Sequence, residues 1–235
     1  MAVSPKFSEI ADKQTALPRK ARLPSIADQV YEQVRADVIR GVLPPGHKLV
    51  ELEVAEQMGT SQGPVREALQ RLEYEGLVER VARSATFVTE ILTDELYELS
   101  SIRSMIEGFA VSRTAQAITD EQADELQELI SKMTSAARDA DIMTLADFDM
   151  EFHRRICEWS GNASLLRVWL PLSGQIQRFI IHSHPRRYPD LVHVATRHQP
   201  IVDALRSREP ETASRVLREH VMLIWNETHS NTNSD

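Results

Sequence analysis

Four residues in the second half of the chain have types and spacing suited to holding a cation. Asp149 and His153 stand one helical turn apart, so a carboxylate and an imidazole leave the same side of a helix. The buried stripe of that helix reads Leu145, Phe148, Phe152, Ile156, Trp159. His198 falls within a second stripe, Leu191, Ala195, Ile201, Val202, Leu205, and His220 within a third, Ala213, Val216, Leu217, Leu223, Ile224. Both histidines therefore face inward. Folding the last two helices back on each other about Ser207 to Pro210 puts each histidine roughly 16 to 17 Å up its helix, at one level. Four polar groups aimed at one interior are costly unless paired. Three imidazoles and a carboxylate suit zinc, with nickel, manganese and iron as alternatives. The plainer alternative is an ordinary core in which each histidine bonds a neighbour and Asp149 pairs with His153. On spacing alone that alternative is preferred.

A second set lies near the N-terminus. Ser61 is placed to cap a helix whose buried stripe is Val65, Leu69, Leu72, and Gln62, Arg66 and Gln70 occupy the other face. A helix that enters the DNA major groove needs such a polar face, with side chains near its start meeting bases and phosphates. Arg71, Arg80 and Arg83 could add phosphate contacts. A solvated helix with ordinary surface arginines has the same spacing, which does not decide between the two. Arg103, beside Leu99, Ile102 and Ile106, could hold an organic acid bidentately or pair with Glu107 four residues on.

The elements that must position these residues follow from local signals. Residues 1–24 carry three prolines and no sustained apolar period, which predicts a flexible, mildly basic arm. Ser25 with Asp28 forms a capping box for a helix repeating Ile26, Val30, Val34, Val38 and stopped at Gly41. The run Leu43-Pro44-Pro45-Gly46 breaks the chain before a short helix over Glu51 to Met58. After the Ser61 helix, closed by Gly76, the segments Leu77–Val81 and Ala85–Thr89 alternate as a two-stranded hairpin. That order is a winged helix-turn-helix over residues 25–90. From Thr93 the period is helical throughout, predicting helices at 94–118, 120–138, 142–160, 163–183, 189–207 and 210–228 and a disordered tail over 229–235. The fold class is mainly α, a winged module followed by an all-helical bundle over 93–228.

Composition excludes several classes. Of 235 residues only one, Cys157, is a cysteine, so disulfide scaffolds and cysteine zinc sites are ruled out and a reducing compartment is implied. No apolar run approaches the roughly 18 residues of a membrane span, and the N-terminus lacks a signal-peptide core. The expected location is the cytoplasm. The net charge of −8 divides as +3 over residues 1–24, −4 over 25–90 and −7 over the remainder, so bulk electrostatics does not favour nucleic acid and a local motif must carry that role.

The motif is present. The run IRGVLPPGHKLVELEVAEQMGTSQGPVREALQRLEYEGLVERV, with its PPG turn, PVREAL core and EGLV exit, resembles the winged helix-turn-helix of GntR-family transcriptional regulators. The resemblance implies that Ser61, Gln62 and Arg66 occupy recognition positions that touch operator DNA. Two departures stand out, Gln62 where these regulators usually carry arginine and Ala85 where a glycine usually precedes the wing strand. Residues 93–228, with IRSMIEGFA, DFDMEFHRRICEWSGN, RHQPIVDAL and REHV, resemble the FCD effector domain of one branch of that family. Many members of that branch bind a divalent metal through Asp-x3-His and two later histidines, and Asp149, His153, His198 and His220 match all four positions. His47, His182, His184, His193 and His229 match none and are read as surface or loop residues. The resemblance also places Arg103 near a small carboxylate effector, and implies a homodimeric repressor that binds a double-stranded DNA operator. The alternative is a helical metal-dependent hydrolase with an accessory N-terminal module, although no HExxH pattern or activated nucleophile accompanies the histidines. A third reading makes the bundle a dimerisation module alone.

Overall fold

The computed structural model describes residues 23–81, 85–90 and 93–230. Ser25 caps α1 (Ile26–Ile39) through the reciprocal bonds with Asp28 that the sequence implies. Its stripe is shifted from expectation: Ala27, Val30, Tyr31, Val34 and Val38 are buried, whereas Ile26 is exposed. The strand β1 (Lys48–Leu49) precedes α2 (Glu51–Gln57), and α3 (Gln62–Tyr74) follows, burying Val65, Ala68, Leu69 and Leu72. Strands β2 (Val78–Val81) and β3 (Ala85–Val88) pair antiparallel, with Val78 opposite Val88 and Val81 opposite Ala85. β1 adds to the far edge of β3, giving the order β1-β3-β2. Only β2 and β3 were expected.

The bundle comprises α4 (Thr93–Ala117), α5 (Asp120–Arg138), α6 (Ile142–Trp159), α7 (Ala163–Arg187), α8 (Leu191–Thr196), α9 (Gln199–Arg206) and α10 (Pro210–Ser230). Three expectations need correction. The helix expected at 189–207 is two, because Pro200 has no N–H for a continuous ladder and sits instead in the first turn of α9, where none is needed. The chain therefore turns at Arg197 and His198, which becomes the N-cap of α9. Conversely, α7 does not stop at residue 183. It passes through Pro185 and ends at Arg187, within one turn of the missing donor. Residues 229 and 230, expected in the disordered tail, belong to α10; the N-terminal arm to residue 22, residues 231–235 and the hairpin tip lie outside the described residues.

One apolar cluster crosses from the winged module into the bundle. Val34, Leu69, Leu72, Leu77 and Val88 pack in one core with Ala146 and Met150 of α6 and Ile176, Ile180 and Ile181 of α7. Around it, Gln175 donates to the Glu75 carbonyl at 2.8 Å and Arg178 to the Thr89 hydroxyl at 3.2 Å. Two glycines make the approach possible. Gly41 and Gly76 both have positive φ, and a Cβ on either would collide with the side chain of His182 or Gln175 at 2.6 or 2.4 Å. α7 is thus clamped to the DNA-binding module along its middle turns.

Candidate functional site

The α6 stripe of Leu145, Ala146, Phe152 and Ile156 turns Asp149 and His153 into the bundle, where both are buried. His198, held at the α8–α9 break, and His220 from α10 arrive from the other side. One nitrogen from each of His153, His198 and His220 lies within 4.8 Å of the others. The His198 and His220 rings are 4.3 Å apart, and Phe152 packs edge-on against His198 at 4.9 Å. His198 Nδ1 donates to the Ala195 carbonyl at 3.1 Å, so in the neutral ring Nε2 is a lone pair, 3.0 Å from Asp149 Oδ1. Two acceptors that close need a proton or a cation between them. Asp149 Oδ2 and His220 Nδ1 are also sealed from solvent without a partner. Burial would raise the Asp149 pKa, but the hydrogen bond and charge of His198 hold it well below the ordinary carboxylate range, while burial pushes His220 well below its ordinary value. An ionised carboxylate beside imidazoles that resist protonation, as burial makes His153 and His220, is the state that metal ligation requires.

Behind His153 stands a carboxylate whose place the sequence left undetermined. Glu107 is buried on α4 and lies 2.6 Å from His153 Nδ1 through Oε2. Its Oε1 accepts from Trp169 Nε1 at 2.6 Å and from Arg103 Nε at 2.5 Å. Burial would raise its pKa, yet Arg103 and His153 hold it at about 2. An acceptor on Nδ1 fixes the ring and turns Nε2 toward the cluster, the orientation that ligating histidines need. The buried stripe of α4 runs Leu96, Ser100, Arg103, Glu107, Val111 rather than through Ile102, which is exposed.

The cluster opens into a cavity of about 30 Å³ lined also by Arg103, Ile180, His184, Tyr188 and Arg197. Arg103 both pairs with Glu107 and presents Nη2 with no hydrogen-bond partner. His184, expected at the surface or in a loop, is corrected to a buried residue of this wall because α7 extends one turn further than the sequence implied. His47, His182 and His193 are exposed, and His229 lies beyond the residues whose side chains are described.

At the other end of the molecule, Ser61, Gln62, Arg66 and Gln70 share the exposed face of α3. Ser61 is the N-cap by position, but its hydroxyl makes no capping bond and is free for another partner. Arg66 is bound by Glu51 of α2, and Arg80 Nη2 approaches the same carboxylate at 4.0 Å. Arg71 does not join this face. It bonds Asp28 at 2.8 Å and covers the Tyr31 ring at 3.8 Å, pinning α3 to α1, because five residues of helix rotate it well away from Arg66. Arg83 lies outside the described residues.

A winged helix-turn-helix clamped to a helical bundle with a buried polar centre defines a DNA-binding regulator with a helical C-terminal domain. Comparison with known proteins makes the class specific. Residues 26–88 match the model of the bacterial regulatory proteins of the gntR family, and residues 95–222 match the FCD domain. The probable D-xylose utilization operon transcriptional repressor of Paenarthrobacter nicotinovorans is 34% identical over 90% of this chain and 92% of its own. The gluconate operon transcriptional repressor of Bacillus licheniformis is 24% identical over 80% and 79%. E. coli McbR/YncC has the same fold, with a TM-score of 0.75 over 91% of this chain and 100% of that one at 24% identity. The chain belongs to the GntR family: it is a transcriptional regulator with an FCD domain, and the hydrolase alternative falls.

Proposed function

We propose that this protein is a metabolite-responsive repressor that binds its operator as a homodimer in the cytoplasm and releases it when a small carboxylate enters the bundle. Asp149, His153, His198 and His220 hold a divalent cation, zinc ahead of nickel, manganese or iron, and the unpaired Nη2 of Arg103 meets the acid. A bound cation supplies open coordination positions that an effector carboxylate completes.

The observation that carries this reading is the double role of α7. Ile180 lines the cavity and also belongs to the apolar core shared with the winged module, while His184 on the same helix and Tyr188 at its C-cap extend the cavity wall. A cavity of about 30 Å³ has room for an ion or a water or two, far less than an organic acid. Entry of the acid must move a wall, and one wall is the helix that holds the DNA-binding module. An effector that binds the displaced arrangement more tightly shifts the population toward it.

Dimerisation is supported by Ile102, Met105 and Phe109, large apolar residues that spacings of three and four place on one exposed face of α4. Two copies then present two recognition helices to a pseudo-palindrome. Repression is supported by the relatives named as repressors. Among the described residues, no helix is long and apolar enough to cross a membrane. A thermal-shift screen of mono- and dicarboxylates with and without metal tests the reading, and sugar acids belong in it because relatives are named for xylose and gluconate operons. A genuine effector stabilises by RT ln(1 + [L]/Kd) and also weakens DNA binding. Stabilisation without any effect on DNA binding counts against it.

Two further outcomes are expected at the recognition helix. Arg66→Ala is expected to weaken operator binding by about 1 to 3 kcal/mol in a salt-controlled gel shift, since it removes an exposed cation and no core volume. Gln62→Arg is expected to move base preference from adenine toward guanine by about 1 to 3 kcal/mol, because an amide matches adenine N6 and N7 whereas a guanidinium matches guanine O6 and N7. Randomised-site selection that recovers the same base with both proteins would show that Gln62 does not read sequence.

A further inference from the structure

Glu51 is the first residue of α2, and its carboxylate turns away from its own helix to the recognition helix. It takes Arg66 side-on, with Nε 3.2 and 3.1 Å from the two oxygens and Nη2 2.7 Å from Oε2. Arg80, on strand β2 of the wing, approaches the same carboxylate at 4.0 Å. One acidic group therefore sits between a cation of the recognition helix and a cation of the wing. The Arg66 side chain is half exposed, so the pair contributes little to stability. What it determines is where the guanidinium is held.

A guanidinium has a side edge, Nε with Nη2, and an end fork formed by the two Nη groups. Glu51 occupies the side edge. The end fork keeps its donors, and that fork has the geometry for guanine O6 and N7. A guanidinium fixed from behind meets a base without first losing the freedom to swing among phosphates. Glu51 also offsets positive charge where DNA must approach. That matters in a segment whose net charge is already −4, because sequence-independent binding is driven almost wholly by cations against phosphates.

Resting on the assignment of α3 as the DNA-reading helix, we propose that Glu51 is a specificity-determining residue: its side-on grip on Arg66 presents the end fork to a base and suppresses binding to phosphate alone. The residue touches no DNA itself. It acts through Arg66.

The test uses the full-length protein, the duplex that wild type selects from a randomised library, and a shuffled duplex of equal length and composition. Fluorescence anisotropy over a salt series gives affinity and salt slope for each. Glu51→Gln is expected to tighten binding to the shuffled duplex, with a salt slope steeper by about one, and to reduce the ratio of selected to shuffled affinity about tenfold. Glu51→Asp keeps the charge and shortens the reach, so the ratio is expected to fall through weaker binding of the selected duplex at unchanged slope. In an Arg66→Ala background neither change at Glu51 should alter the ratio. Wild-type ratios in both Glu51 variants, with unfolding temperatures also unchanged, would overturn the proposal while Arg66→Ala still weakens selected binding. If Arg66→Ala itself binds the selected duplex normally, the reading of α3 fails and the role of Glu51 falls with it.

Discussion

His198→Ala and His220→Ala are each expected to lose most of about one divalent ion per chain, and removal of the ion from the unmutated protein is expected to lower its unfolding temperature by about 10 °C. The size follows from linkage. A ligand present at a thousand times its Kd and bound only by the folded state stabilises by about 4 kcal/mol. For a chain of this length each kcal/mol moves the midpoint by about 2 to 4 °C. Asp149 Oδ1 and His198 Nε2, 3.0 Å apart, supply the physical reason, since without a cation or a proton between them two acceptors face each other in a sealed core. Elemental analysis and thermal unfolding check both halves. Equal metal content in wild type and both variants after reconstitution would remove the assignment.

Periodicity made the four cluster residues visible, because a histidine on an apolar stripe has to go somewhere and the turn at Ser207 to Pro210 sets the level at which two such stripes meet. It did not reveal that the chain breaks at His198. Leu191, Ala195, Ile201, Val202 and Leu205 are compatible with one continuous helix, and only Pro200, the overlooked signal, says otherwise. α7 illustrates the opposite error. Pro185 reads as a stop, yet α7 runs through it to Arg187, because the missing N–H and the ring of a proline disturb only the last turn there, and this brings His184 and Tyr188 to the site. β1 has two residues, too few for any alternation to register. The grip of α7 on the winged module was invisible for another reason. It depends on Gly41 and Gly76 meeting side chains about a hundred or more residues away, and nothing local to either glycine distinguishes that duty from closing a helix.

Glu107 was legible only as a partner for Arg103, since a glutamate four residues after an arginine looks the same on a solvated face as in a core. Trp169 and His153, brought by α7 and α6, reveal it as the shared partner of three groups, accepting from Arg103 and Trp169 and standing 2.6 Å from His153 Nδ1. Glu107→Ala is therefore expected to be among the most damaging single changes in the bundle, about 3 to 5 kcal/mol by denaturant unfolding, because it strands the Arg103 guanidinium in a buried site. If that variant does not fold, Glu107→Gln retains the shape and an acceptor. It is expected to fold, and to weaken metal binding about 10- to 100-fold in chelator competition, because an amide holds the His153 ring less firmly than a carboxylate does. Restoration of near-normal metal affinity is not expected from Glu107→Asp, whose shorter side chain cannot reach Arg103, Trp169 and His153 together. Full metal affinity in Glu107→Gln would mean that His153 is held by packing against Phe152 and His220 alone, and that the buried carboxylate serves only to neutralise Arg103.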